Sequence, residues 1–357
     1  MAASVGKDLV RLSAVVPNFN HGAVIGEAIR ALANQLPAAD EIIVVDDGST
    51  DNSIEVLDRL RQEYPTIRVV ALPKNQGAIF ALNRGLQEAR GKYVYFGAAD
   101  DLVRPGLFSS MLAMTAQYPQ AAFSVCECVV LDTDTGKKAY RPPARPSHSP
   151  AFLSPSEVSR ILRHIDNWIL TGTAIVRRDL ILEAGGFDGT LGSFADGYVF
   201  RRLALQHGCC FVPQVGAVWQ VNSKGYSRSQ AADPDASLRA LGVAILRMRE
   251  DPFFPAWYPA VFERRWRFGI GKIATEATPI NSAVLKRLSH GPVSRVVLGG
   301  AAAMGGQVGR VIALGWLGLQ ERPISLLSLV RTHFERTRLK SGLQSLVQAN
   351  SSTATLP

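Results

Sequence analysis

Apolar positions in the first hundred residues switch between two periods in a regular way. Leu12–Val16, apolar but for Ser13 and stopped by Pro17, has the pattern of a strand buried on both faces. Ile25, Ala28, Ile29, Leu32 and Leu36 then recur at helical spacing. Glu41–Val45 repeats the strand pattern, and Ile54, Leu57 and Leu60 share one face of a helix after it. Ile67–Leu72 begins a third unit, completed by Ala78, Leu82, Leu86 and Ala89 at helical spacing. Tyr93–Phe96 is a fourth strand that runs into Asp100 and Asp101. Strand–helix alternation on short links predicts a parallel sheet wound by right-handed crossovers.

The middle of the chain is less regular. Ala121–Leu131 reads as a strand-pair element, and residues 137–155, with five prolines from Pro142 to Pro155, read as a long loop. Trp168–Val176 reads as a strand, Asp179–Gly185 as a short helix closed by glycine, and Gly197–His207 as a helix. After Ala236 the character changes to helices rich in Arg, Leu and Ala. Val293–Leu319 is glycine-rich and mostly apolar, but Arg295, Gln307 and Arg310 interrupt it, so a membrane-spanning helix is not expected.

Length and charge refine this picture. A chain of 357 residues suits one large α/β domain with an accessory part. The net charge of +9 is confined to the last third: residues 240–357 carry 15 basic and 6 acidic residues, and the remainder is neutral. Such asymmetry has two readings. Helices could pack on the catalytic part and show a basic outer face. Alternatively Arg264, Arg265, Arg267, Lys286, Arg287, Arg331, Arg336, Arg338 and Lys340, set among apolar residues, could attach the chain to an anionic membrane surface. Cys126, Cys128, Cys209 and Cys210 have neither zinc nor redox spacing and read as buried thiols in a reducing compartment. The N-terminal residues offer no signal-peptide apolar run. A cytoplasmic location is expected, with peripheral attachment to the inner face of the membrane as the alternative.

Ligands of open α/β sheets bind outside the carboxyl ends of the strands. Four groups fall there: Pro17–Asn20, Asp46–Asp51, Lys74–Gly77, and Asp100 with Asp101. Neither a GxGxxG nor a GxxxxGKS loop is present, so the repeated feature is acid rather than a glycine cradle. Carboxylates suit hydrogen bonding to a base or ribose, and ligation of a hard cation that in turn holds phosphates. Asp51 and Asn52 precede a helix, and Asn52 with Glu55 has capping-box spacing, so a structural role is expected for them. The histidines show no metal spacing.

Four segments carry a family resemblance. VVPNFN (Val15–Asn20), IIVVDDGSTDNS (Ile42–Ser53), KNQGAIFALNRGL (Lys74–Leu86) and GKYVYFGAADD (Gly91–Asp101), continued by GGFDGTLGSFADGYVFRRLA (Gly185–Ala204), resemble the family 2 glycosyltransferases. The likeness runs from about Leu12 to Ser229. It implies an α/β fold of the GT-A type, a mostly parallel nucleotide-binding sheet flanked by helices, over residues 10–230, and a basic helical extension over 236–357. It also implies transfer of a sugar, with inversion, from a UDP- or GDP-type donor to a hydroxyl of a saccharide or lipid-linked acceptor. No nucleic-acid partner is implied.

The resemblance further implies roles residue by residue. Pro17 and Asn20 would shape the nucleoside pocket, and Asp47 with Asp46 would bond the base or ribose. Gly77 would allow close backbone approach to the nucleotide, and Asn83 would brace the site. Asp100, with Asp101 beside it, would hold a divalent cation, Mn²⁺ or Mg²⁺. Asp196 would be the general base, and Arg202 would hold a phosphate or the following loop. Trp168 and Thr171 face either the acceptor or the core.

Three positions depart from the family pattern: Ala98 where a first metal-motif acid is common, Ala195 before the base, and Asn222 where a histidine is frequent. Two other functions therefore stay open: a polyprenyl-phosphate sugar transferase, and a non-catalytic nucleotide-sugar-binding protein.

Overall fold

The first hundred residues fold as their periodicity predicts. The computed structural model describes residues 11–222 and 233–323. It contains β1 (Leu12–Asn18), α1 (Ile25–Ala33), β2 (Glu41–Asp46), α2 (Ser53–Glu63), β3 (Ile67–Ala71), α3 (Ala78–Glu88) and β4 (Tyr93–Phe96). β1 lies between β2 and β4, β2 pairs β3, and every one of these pairings is parallel. Helical crossovers bury both faces of this half, so Ala14, Val15 and Val16 are 0% exposed.

The second half of the sheet is mixed. It adds β5 (Leu102–Val103), α4 (Leu107–Gln117), β6 (Phe123–Asp132), β7 (Lys138–Arg141), β8 (Ala151–Leu153), α5 (Pro155–Leu162), β9 (Ile175–Arg177), α6 (Arg178–Glu183), α7 (Ala195–His207) and β10 (Cys209–Val221). The sheet order is β3-β2-β1-β4-β9-β6-β10-β5, with β7 on β6 and β8 on β10. β9 is antiparallel to both β4 and β6, whereas β6 and β10 are parallel.

Several expectations are corrected here. Ala121–Leu131 forms one ten-residue strand, β6, not a strand pair. The proline-rich 137–155 segment is not a plain loop: β7 and β8 pair with the sheet from within it. Trp168–Val176 is mostly not a strand. A 3-10 turn occupies Thr171–Thr173, and pairing starts only at Ile175. The sheet as a whole is mixed rather than mostly parallel. The four cysteines are buried free thiols, as expected, and burial pushes Cys126 and Cys128 up to about 12.

Among the described residues five helices follow: α8 (Pro234–Glu250), α9 (Tyr258–Glu276), α10 (Ser282–Leu288), α11 (Gly291–Met304) and α12 (Gly306–Glu321). Val293–Leu319 is thus split in two, and its break falls at Gly305 and Gly306, with φ of +63° and +54°. Among the described residues no helix is long and apolar enough to cross a membrane. Val10, residues 223–232 and the basic residues from Arg331 onward lie outside the described residues.

These helices share the core of the sheet domain. Phe194, just before α7, packs with ring centroids 4.6 Å from Phe262 and 4.7 Å from Trp266 of α9. Below them Asp166 accepts from Arg201 Nε at 2.7 Å, from Tyr258 Oη at 2.9 Å and from Arg265 Nη1 at 3.3 Å. Arg267 is turned inward too, onto Glu321 at 3.1 Å. Arg265 and Arg267 are therefore withdrawn from the set of cations free to meet a membrane.

The two guanidinium groups offset the desolvation of Asp166 and hold its carboxyl below the usual carboxylate range. A depressed folded pKa means stability that is fully present above about pH 4 and is lost as pH falls through the folded value. Breaking such a buried network by removing one member costs about 3–5 kcal/mol. Asp166→Asn should therefore lower unfolding free energy by about that amount at pH 7, measured by denaturant titration. The gap to the wild type should narrow below pH 4, where Asp166 itself protonates. A gap constant with pH would show that the charge of Asp166 contributes nothing.

Candidate active site

The carboxyl ends of β1 to β4 lie along one edge, and side chains lace their loops together. Asp46 ends β2 and is 1% exposed. Its Oδ2 accepts from Asn18 Nδ2 and Ser49 Oγ, each at 2.7 Å, and its Oδ1 from the Ser49 N–H at 2.9 Å. This carboxylate shapes its own turn. Gly48, at φ +72°, passes so close to Lys74 that a Cβ would stand 2.7 Å from its backbone. Only glycine fits there.

Asp47 bridges two loops. Its Oδ1 accepts from the Gln76 N–H at 2.8 Å and its Oδ2 from the Gly77 N–H at 2.7 Å. Gly77, at φ +95°, begins α3, and a Cβ there would meet nothing within 4 Å. The conformation excludes a side chain and leaves open space in front of the backbone. Asn20, also left-handed at φ +57°, accepts from the Thr50 N–H at 2.8 Å. Pro17 lies half-buried in β1, level with Val45.

Asp51 rather than Asn52 serves the start of α2. Its two oxygens accept from the Ser53 and Gly22 N–H groups, while Asn52 makes no side-chain cap bond. Phe19 and Phe80 leave aromatic rings partly exposed beside Asn20 and Gly77, positions the sequence reading passed over.

Asn83 is a brace in the literal sense. Its amide donates to the Phe187 carbonyl at 2.8 Å and accepts from the Phe187 N–H at 2.9 Å. It thereby ties α3 to the segment leading into α7.

The acids of the second half converge on one turn. Asp101 follows β4, and its Oδ1 accepts from the Gln220 N–H of β10 at 2.8 Å. The Gln220 side chain donates to the Asp100 carbonyl at 2.7 Å. Burial, reinforced by the charge of Asp100, pushes the Asp101 carboxyl up to about 8. Among the described residues no hydrogen bond reaches the Asp100 carboxylate.

The other Asp101 oxygen, Oδ2, faces Gly172, where an added Cβ would lie 3.9 Å away. Tyr95 Oη donates to the Gly172 carbonyl at 3.0 Å and fixes this turn on β4. The neighbouring Thr171 Oγ1 donates to Asp196 Oδ2 at 2.7 Å. The second Asp196 oxygen accepts from the Gly197 N–H at 2.6 Å in the first turn of α7, which starts two residues earlier than its periodicity suggests. Asp101 and Asp196, 95 positions apart in sequence, thus flank adjacent residues of one 3-10 turn.

The remaining candidates do not join this cluster. Arg202 Nε donates to Asp251 Oδ2 at 2.6 Å, and its guanidinium lies over the Phe253 ring. It ties α7 to the segment that follows α8. Trp168 is 0% exposed and packs edge-on to Phe211, which places it in the core.

Two adjacent half-buried carboxylates, one accepting no hydrogen bond among the described residues and the other resisting ionisation, form a donor set that a hard divalent cation would relieve. Among the described residues no group of three or more His, Cys, Asp or Glu converges on one point. Phosphate oxygens and water would therefore have to complete the coordination shell.

Comparison with known proteins bears on this edge of the sheet. Residues 13–182 match the model of glycosyl transferase family 2. An uncharacterized glycosyltransferase of Escherichia coli, YibD, is 30% identical over 174 residues, 48% of this chain and 50% of its own. The chain thus spans about half the length of that relative. Among solved structures, TarS 1–349 of S. aureus in complex with UDP-GlcNAc superposes with a TM-score of 0.58 at 15% identity, over 88% of this chain and 93% of its own. The mannosyltransferase PcManGT of Pyrobaculum calidifontis, in complex with GDP-Man and Mn²⁺, gives a TM-score of 0.55 at 20% identity, over 87% and 86%. At these identities the two structures share the fold, an α/β sheet flanked by helices with a helical C-terminal region.

Proposed function

Residues 13–182 belong to glycosyl transferase family 2, and from that premise we propose that the chain is an inverting sugar transferase using a nucleoside diphosphate donor. The observation that carries the reading is the Thr171–Gly172 turn, with Asp101 on one side and Asp196 bonded on the other. A group transfer needs one charge centre at the leaving group and one base at the nucleophile, with the substrate between them. The loops after β1, β2 and β3 would take the nucleoside, Asp47 and Gly77 presenting backbone and Phe19 and Phe80 presenting rings. A catalytic unit over residues 10–230 with an extension over 236–357 is part of the same proposal.

Asp100 and Asp101 would hold the divalent cation. When bound, it supplies positive charge against the negative charge that builds on the leaving diphosphate. Asp196 would accept the proton of the acceptor hydroxyl as that oxygen attacks the anomeric carbon. Displacement from the opposite face inverts the configuration. Thr171 keeps the Asp196 carboxylate oriented, so it acts as a positioning residue. The ligands of the two solved structures on this fold, UDP-GlcNAc in one and GDP-Man with Mn²⁺ in the other, support a sugar-nucleotide donor and a divalent cation. The acceptor is read as a saccharide or lipid-linked hydroxyl, consistent with surface polysaccharide or glycolipid synthesis.

A panel of UDP- and GDP-sugars, each with and without Mn²⁺, tests the donor half by thermal shift. A ligand at a hundredfold excess over its Kd stabilises the native state by about 2.7 kcal/mol. One donor should raise the melting temperature, and only with metal. A flat response across the panel would remove the nucleotide-sugar reading.

A further inference from the structure

α11 and α12 each turn an apolar stripe to solvent. On α11, Val293, Val296 and Met304 are 65%, 74% and 60% exposed, and on α12, Val308, Val311 and Leu319 are 61%, 65% and 72% exposed. Their spacing returns each set to one helix face. The opposite faces are buried, through Leu298 and Ala301 in α11 and Ala313 and Leu317 in α12. The stripes are therefore surplus to the core. Exposed apolar surface of this kind marks an interaction site.

Along the stripes themselves the charges are nearly all cationic. From Gly291 to Pro323 the only acid is Glu321, which is 0% exposed and bonded to Arg267. Arg295 is exposed on α11, and Lys286 and Arg287 are exposed at the end of α10 just before it, Arg287 being paired with Asp235. Apolar stripes bordered by cations, on helices too short and too interrupted to span, are suited to lie in the plane of a bilayer interface. A second copy is disfavoured, because a two-fold contact would set this cationic border against itself.

We propose that the α11–α12 pair is a docking surface for anionic lipid bilayers. Val293, Val296, Met304, Val308, Val311 and Leu319 enter the boundary between headgroups and acyl chains, while the flanking cations meet lipid phosphates. Of the two readings of the basic C-terminal third, the surface belongs to this hairpin and not to the inward-facing Arg265 and Arg267. The proposal stands whether or not the chain transfers sugar.

The test uses the full chain sedimented with vesicles of phosphatidylcholine alone or mixed with phosphatidylglycerol. The protein should pellet only with the anionic vesicles and less in 1 M salt, where the screening length shrinks from about 10 Å to about 3 Å. Val296→Glu/Val311→Glu should weaken pelleting by roughly tenfold or more, because carboxylates would have to enter the interface. Leu36→Glu, 82% exposed in wild type and outside the helical region, should leave pelleting unchanged. All three proteins should keep the same thermal midpoint and the same donor-induced thermal shift, which separates this proposal from the transferase reading. Absence of pelleting, or pelleting indifferent to Val296→Glu/Val311→Glu, overturns it. Self-association that these substitutions abolish, without lipid binding, overturns it in favour of a second copy.

Discussion

Asp196→Asn should bind donor with wild-type affinity and turn over roughly a hundredfold or more slowly, the usual scale for a lost general base. The substitution keeps size and shape, and the amide oxygen can still accept from Thr171, whose hydroxyl lies 2.7 Å from Asp196 Oδ2. What it removes is the capacity to take a proton, together with the bond that the other carboxylate oxygen accepts from the Gly197 N–H. Donor affinity is read by calorimetry and turnover by release of nucleoside diphosphate in the presence of acceptor. An unchanged kcat would assign Asp196 to helix capping through Gly197 and leave the base unidentified. It would also favour a phosphate acceptor, as in a polyprenyl-phosphate transferase, which needs little help from a base.

Asp100→Ala should lose Mn²⁺-dependent donor binding and turnover together, with turnover again down by at least about a hundredfold, the scale of removing one electrostatic contact to a developing negative charge. The fold should survive. No hydrogen bond reaches this carboxylate among the described residues, so its removal strands no partner, and the Asp100 carbonyl still receives Gln220. Asp101 is the complication. It has one oxygen on Gln220 and the other facing Gly172, so it can retain a weak cation site at high Mn²⁺. The distinguishing measurement is a Mn²⁺ titration of donor binding. Normal binding and turnover without added metal would remove the cation from the mechanism. Donor binding without any turnover, in the wild type itself, would instead support a non-catalytic binding protein, the reading that Ala98 left open.

The parallel half of the sheet was legible because β1, β2 and β4 are buried on both faces and each helix on one. Period alone then separates Leu12–Val16 from Ile25–Leu36. The mixed half was not legible for a reason of length. β8 and β9 have three residues each, too few to show a period, and β7 has four within a proline-rich stretch. One signal was available and unread. Ser154-Pro155-Ser156-Glu157 is a capping box, with both reciprocal bonds formed, and it announces α5. At the site, residue types pointed to Asp100, Asp101 and Asp196, but their relation did not show, because Thr171 and Gly172 join them through space. Gln220 carried no signal at all. Its backbone N–H on Asp101 is one that any residue would supply, and its side-chain bond to the Asp100 carbonyl forms only once β10 is laid beside the turn. The partners that Asp46 and Arg202 meet in the fold, Ser49 and Asp251, were not legible either, because each bond depends on how the chain turns.

The pairing of Asp101 with Gln220 spans 119 residues, and β10 is also the strand that closes against β5 and β6. On a ribosome the four parallel strands and their helices emerge first, with partners close in sequence, and such local units form early. The acid pair then waits. At roughly 5–20 residues per second, several seconds pass before Gln220 is made and the far wall can be laid beside Asp100 and Asp101. A nascent chain therefore owns the loops after β1, β2 and β3 well before Asp101 meets its partner on β10.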